Sequence, residues 1–265
     1  MLGIVVALPW ELKSLTPKRI PVGRCLGIAD DVVIAVSGMG AGRACTAASV
    51  LVQRGAAALI SWGCATGLER RLTPGMLILP ERVIGIDGQI YQADASWHRR
   101  LYGRLSPQMS VETTPVAETN IILVGPAEKR ALHERTEAGA SDMETAAIAR
   151  IAGEARRPFI AVRAVADTAS TELPQSLFSA ITPHGQIAIK KLLALAPFHR
   201  GDCLKIARLG LQVAAARKTL AFSRKFVFQT SPFESVGEEE NSGAAPAVFA
   251  GLHPQAHNCK KKSDE

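Results

Sequence analysis

The sequence lacks any apolar run near the roughly 18 residues of a bilayer-crossing helix. Its first such run, Gly3 to Leu8, stops at Pro9. No basic leader precedes that run, and Glu11 and Lys13 follow at once. That pattern disfavours a secretory signal and leads us to expect a cytoplasmic protein, with peripheral membrane contact left open. Cysteines are few and odd in number: Cys25, Cys45, Cys64, Cys203 and Cys259 form neither a CxxC pair nor a Cys/His zinc pattern. They read as thiols of a reducing compartment. The histidines, His98, His133, His184, His199, His253 and His257, are scattered, so no metal is expected. Aromatic residues make up only 5% and are not interleaved with the basic ones, which argues against a nucleic-acid platform. No Gly-Lys-Ser/Thr phosphate loop and no GxGxxG turn occur, which disfavours a nicotinamide cofactor.

The chain does carry short runs of Val, Ile, Leu and Ala separated by glycine turns. Strands are expected at Gly3 to Leu8, Val32 to Val36, Ala57 to Trp62, Met76 to Leu79, Arg82 to Ile86, Ile121 to Val124 and Phe159 to Val165. Helices are expected at Arg43 to Arg54, Ala127 to Glu137, Met143 to Glu154 and His184 to Leu195. Repeated strand, turn and helix units place helices over a largely parallel or mixed sheet, with ligands beyond the carboxyl ends of the strands.

The formal net charge of +7 is unevenly spread. Between residues 200 and 225, Arg200, Lys205, Arg208, Arg217, Lys218, Arg224 and Lys225 face the single acid Asp202. Residues 204–228 read as a basic amphipathic helix, with Leu204, Leu211, Ala214, Ala215 and Phe222 as its apolar stripe. Beyond Thr230 the Glu238 to Glu240 and Lys260 to Lys262 runs, with little apolar periodicity, suggest disorder. The chain thus divides into a main α/β domain at 1–199, a basic helical segment at 200–229 and a tail at 230–265.

Candidate chemistry gathers at strand ends. Ser37-Gly-Met-Gly-Ala-Gly42, with Gly40 at its centre, is either a tight turn or a backbone cradle for an anion or a polar ligand edge. Arg43 follows it, as a surface residue or a phosphate ligand. Gly63-Cys-Ala-Thr-Gly67, after a buried strand, is either a structural turn or a site that offers the Thr66 hydroxyl and the flexible backbone of Gly67. Glu11, beside Trp10, is either a solvated helix-start acid or a base with a raised pKa that holds a water. Asp142 suits a helix cap. Glu144, if it points inward, can accept two hydrogen bonds from a vicinal diol such as ribose. Asp167 ends an expected central strand, either as an acid that caps the turn or as a catalytic carboxyl held rigidly. Arg163 inside that strand requires a carboxylate or an anion as partner.

These segments, in order, resemble the purine nucleoside phosphorylase and uridine phosphorylase superfamily over about residues 1 to 195, and within it the methylthioadenosine/S-adenosylhomocysteine nucleosidases. The resemblance rests on Gly3 to Glu11, the two glycine turns, Leu72-Thr-Pro-Gly-Met-Leu-Ile78, Ser141-Asp-Met-Glu-Thr-Ala-Ala147 and Val162-Arg-Ala-Val-Ala-Asp167. More narrowly, the sequence looks like hopanoid-associated nucleoside phosphorylase-like proteins, which are implicated in removing adenine from adenosylhopane. The resemblance implies a phosphorylase/hydrolase-like three-layer α/β fold, a central mixed twisted sheet flanked by helices, and a homo-oligomer. It also implies roles. Asp167 would protonate or hydrogen-bond N7 of the leaving purine, Glu144 would bind ribose hydroxyls, Met143 would pack beneath the sugar and Glu11 would orient the hydrolytic water.

The sequence departs from this pattern at Leu8-Pro-Trp10, where the hydrolases usually have acids, and at Ile121 to Pro126. Three alternatives stay open: phosphorolysis, with phosphate as co-substrate at Arg43; a small-thioether nucleosidase; and a noncatalytic nucleoside-binding module. The basic segment suggests contact with an anionic membrane, against an ordinary packed helix with a solvated face.

Overall fold

The computed structural model describes residues 1–174, 180, 182, 202–230 and 232. The expected helix at His184 to Leu195 and nearly all of the expected tail lie outside these residues.

One mixed sheet organises the chain. Strands β1 (Leu2–Val6), β3 (Val32–Val36), β4 (Ala58–Gly67) and β11 (Phe159–Asp167) form its parallel centre: β1 lies between β3 and β4, and β11 pairs the other side of β4. An antiparallel edge strand, β2 (Arg24–Ala29), flanks β3. Past Trp62, β4 runs on as an antiparallel partner of β10 (Ala140–Asp142), from which β9 (Val116–Glu118), β6 (Arg82–Ile84) and β7 (Ile90–Gln92) continue the sheet. On the far side of β11, β5 (Leu77–Ile78) and β8 (Val111–Glu112) complete it.

Strand alternation sorts the core into two layers. Leu2, Ile4 and Val6 of β1 face Leu12 of α1 (Pro9–Leu12), Trp97 and Leu101 of α3 (Ala95–Leu105), and Ala216, Leu220 and Val227 of α6 (Asp202–Gln229). Val5 faces the other layer, where α2 (Ala41–Gln53) and α5 (Thr145–Glu154) meet through Ala44, Ala48, Leu51 and the Ala146 to Ala149 run. Small side chains on both helices let them pack closely over the sheet. The remaining helix, α4 (Pro126–Thr136), covers the β6 and β9 end through Leu132. The three-layer α/β architecture is therefore the expected one.

Two readings are corrected. Ile121 to Val124 forms no strand. The Thr119 hydroxyl bonds the backbone carbonyl of Ile121 and accepts from its N–H, which turns the chain out of the sheet after β9. The second concerns α6. The helix forms, but its buried face is Gln212, Ala216, Leu220, Ser223 and Val227, not the stripe read from the sequence. Leu204, Leu211 and Phe222 of that stripe are 77%, 75% and 40% exposed. Of that stripe, Ala215 does make a close inner contact. Gly75 sits at φ +85° in the turn before β5, where a Cβ would lie 3.2 Å from Ala215 Cβ, and its carbonyl accepts the Thr219 hydroxyl at 2.6 Å. Small residues are needed on the side that meets this turn. Arg224 further ties the helix to the Leu15 carbonyl at 2.9 Å, and Lys205 pairs with Glu172 at 2.9 Å, so the basic residues are partly engaged.

Candidate active site

The carboxyl ends of β1, β4, β10 and β11 converge on one cavity lined by Glu11, Thr66, Met143, Glu144 and Asp167. Each side chain is placed by local structure.

Pro9 opens α1 at a position where its missing N–H is no loss, and Glu11 turns inward, 3% exposed. Its Oε2 accepts the Leu8 N–H at 2.9 Å and its Oε1 accepts the Cys64 N–H at 2.8 Å, so both oxygens are oriented by backbone. Burial raises its pKa above the usual carboxylate range, opposed by Arg163 and these amides. The solvated alternative for Glu11 is thereby overturned. Gly63 makes the arrangement possible: a Cβ there would sit 2.5 Å from both Glu11 Oε1 and Arg163 Nη1. Cys64 lines the same cavity, and burial keeps its thiol pKa well above normal, so it is a poor nucleophile.

Asp142 caps α5. Its Oδ1 accepts the N–H groups of Glu144 at 3.1 Å and Thr145 at 3.0 Å, and its Oδ2 pairs with Arg163 Nε at 2.8 Å. Arg163, 1% exposed, also donates to Ser61 and Thr145. The partner required for a buried arginine is therefore Asp142. Both acids of the segment line the cavity, and with Asp142 committed to Arg163, Glu144 is the one left for a ligand.

Glu144 Oε1 accepts the Gly40 N–H at 2.7 Å. Gly40, at φ +99°, starts α2. The backbone donor at the first glycine turn thus holds the protein's own carboxylate. Burial, with Asp142 nearby, pushes the Glu144 pKa up to about 8.

β11 shifts register between Val165 and Asp167. Such a bulge re-aims a side chain, and here the Asp167 carboxyl meets β4 and α4. Its Oδ1 accepts the Thr66 hydroxyl at 2.9 Å, and its Oδ2 accepts Lys129 Nζ at 2.6 Å. Burial raises the Asp167 pKa, while Lys129 and Thr66 lower it.

Gly67 does not line the cavity; it pairs with Ala140 and is a sheet residue. Arg43 lines a separate cleft with Arg24, Ser37 and Thr46. Among the described residues, the lining of the carboxylate cavity includes no lysine or arginine. Sequence reasoning missed Lys129, whose position on a polar helix gives no sign of complete burial, and Ser141. The Ser141 hydroxyl lines the cavity, is buried and has no hydrogen-bond partner among the described residues. It also missed the apolar wall of Leu173, Leu209 and Val213.

With this geometry established, the sequence model of the phosphorylase superfamily matches residues 2–196. The chain belongs to the phosphorylase superfamily. No curated protein matches it. Among solved structures it is similar to the 5'-methylthioadenosine/S-adenosyl homocysteine nucleosidase of Helicobacter pylori, with a TM-score of 0.65 and 15% identity over 86% of this chain and 96% of that one. Futalosine hydrolase of the same organism gives 0.64 and 16% over 86% and 97%. The Neisseria meningitidis nucleosidase bound to methylthio-immucillin-A gives 0.63 and 19% over 87% and 99%. At these identities the likeness establishes the shared fold.

The raised Glu144 pKa has a consequence for this superfamily member's stability. Between the ordinary value of 4.5 and about 8, the folded chain holds a proton on Glu144 that the unfolded chain has released. Stability therefore falls as pH rises through that window. Glu144→Gln is expected to flatten the fall in Tm between pH 5 and 8, measured by calorimetry; an unchanged slope would contradict the assignment.

Proposed function

We propose that the chain hydrolyses the N-glycosidic bond of an adenine nucleoside. The observation that carries this reading is the cavity itself: Glu11, Glu144 and Asp167 line it together, and no lysine or arginine among the described residues does. Among the described residues an incoming phosphate would find no cation in that lining, whereas a water would find Glu11 as base. This supports hydrolysis over the phosphorolytic alternative at Arg43. The fold's likeness to two nucleosidases and a hydrolase supports the same chemistry.

As the C1' to N9 bond breaks, its electron pair moves to the base and positive charge develops on the sugar. Asp167, held by Thr66, delivers a proton to N7, so that neutral adenine leaves. A water oriented by Glu11 attacks C1' and gives its proton to that carboxylate. Glu144 accepts from the ribose hydroxyls, Met143 packs beneath the ring and the Ser141 hydroxyl is available to a polar substrate atom.

For the 5' substituent, the structural likeness favours a small thioether, as in methylthioadenosine. A specific observation supports a second substrate, the lipid-tailed adenosylhopane. The helix α6 gives Leu209 and Val213 to the cavity wall while turning Leu204 and Leu211 outward, with exposed Arg208, Arg217 and Lys218 on the same helix. An outward apolar stripe with basic neighbours suits peripheral contact with an anionic membrane. Leu204→Asp with Leu211→Asp is expected to abolish cosedimentation with anionic phospholipid vesicles; vesicle binding equal to wild type would remove the membrane contact.

The direct test of the reaction is adenine release from methylthioadenosine and from adenosylhopane without phosphate. Release from at least one is expected, with Glu11→Gln lowering kcat by about 10²–10⁴-fold at an unchanged fold. Release only when phosphate is added would overturn the hydrolytic reading.

A further inference from the structure

Lys129 is the most deeply buried charge next to the cavity, at 0% exposure, and its environment is specific. The ammonium has three N–H groups and three acceptors: Asp167 Oδ2 at 2.6 Å, the Thr168 carbonyl at 2.8 Å and the Thr171 carbonyl at 2.8 Å. Two of these acceptors are backbone carbonyls, which stay acceptors whatever the protonation state. A neutral amine keeps two N–H groups and gains a lone pair. Both states of Lys129 therefore keep the two carbonyl bonds: the amine still donates to Thr168 and Thr171, and its lone pair accepts from Asp167 while that carboxyl carries the proton.

We propose that Lys129 is a positioning residue that acts through Asp167, holding in reserve the proton that Asp167 delivers to the departing base. This rests on the reading of Asp167 given above. In the resting site the pair is ammonium and carboxylate. As C1' to N9 breaks, the base takes the bonding electrons and becomes more basic than a carboxylate. A proton moves from Nζ to the Asp167 carboxyl and from that carboxyl to N7, leaving neutral adenine, carboxylate and amine. The pair regains one proton from water through the cavity after adenine leaves, and Glu11 releases the proton it took from the attacking water.

Other groups around Asp167 do not replace this source. From β4 it meets Cys64, whose thiol is held protonated by burial, and Thr66. Glu11, Asp142 and Glu144 share the cavity with it, and Asp142 is committed to Arg163. From α6, uncharged Gln212 reaches only Thr171, at 3.2 Å. Lys129 alone in this set is a buried cation in contact with the carboxyl.

The test is the pH dependence of kcat in Lys129→Met. Without Lys129, Asp167 carries a proton only below its own pKa, so activity should survive on the acid side and be lost toward alkaline pH. The expected deficit is about 10²-fold or more at pH 8 and shrinks to under about 10-fold at pH 5, while wild type stays active at pH 8. A loss equal at both pH values, or no loss, would overturn the proposal. Should the variant not fold, the infrared difference spectrum between wild type and Asp167→Asn at pH 7 decides. A carboxylate band is expected, and a carboxylic acid band would overturn the proposal. A wild type that releases no adenine, or an active Asp167→Asn, would instead defeat the underlying reading of Asp167.

Discussion

Asp167→Asn is expected to lower kcat for adenine release by about 10²–10⁴-fold, the range of a lost general acid. Asparagine has the shape of aspartate and can still accept from Thr66, but it cannot carry a proton to N7. An interaction made in the transition state lowers kcat and kcat/KM together and leaves KM nearly unchanged. The substitution also removes the anion facing Lys129, so Tm should fall as well. Steady-state kinetics beside a thermal melt separate the two effects. A folded Asp167→Asn protein with wild-type kcat would remove Asp167 from the chemistry.

Arg163→Met is expected to produce the largest loss of stability, about 3–5 kcal/mol, the usual cost of stranding one partner of a buried ion pair. Methionine fills much of the volume but leaves Asp142 without its cation and the Ser61 and Thr145 hydroxyls without their donor. The effect reaches the cavity, because Arg163 opposes the upward pKa shifts of both Glu11 and Glu144. In the variant both acids should protonate more readily, so the stability deficit should shrink at low pH, where a stranded carboxylate can neutralise itself. Urea unfolding at pH 5 and pH 8 measures this. A deficit below about 1 kcal/mol, the scale of an exposed pair, would show that the network is not the keystone of this layer.

What was legible in the sequence depends on how far each signal reaches along the chain. Asp142, Glu144 and Asp167 stand at strand ends or helix starts, where backbone rules give a side chain few directions, and the structure brings Glu144 and Asp167 to one cavity with Glu11. Arg163 was conspicuous because a cation within an apolar strand must have a partner. Lys129 lay hidden in α4, a helix of Glu, Lys, Arg and His with no clear apolar face. Its burial is decided by the loop after β11, which no local pattern reveals. The face of α6 was misread for a related reason: helical spacing joined Leu204, Leu211 and Phe222 to Ala214 and Ala215 in one stripe, but Ala215 meets the Gly75 turn while the larger side chains face outward. Short strands such as β2 and β7 went unseen because their mostly exposed residues lack the apolar run that marks β1 and β11.

The measurement that tests the central claim most directly is the mass of the sugar product formed in ¹⁸O-labelled water with phosphate present. Hydrolysis predicts a free ribosyl product carrying one ¹⁸O at C1' and adenine in equal amount. A ribosyl 1-phosphate without the label would contradict it and make the chain a phosphorylase.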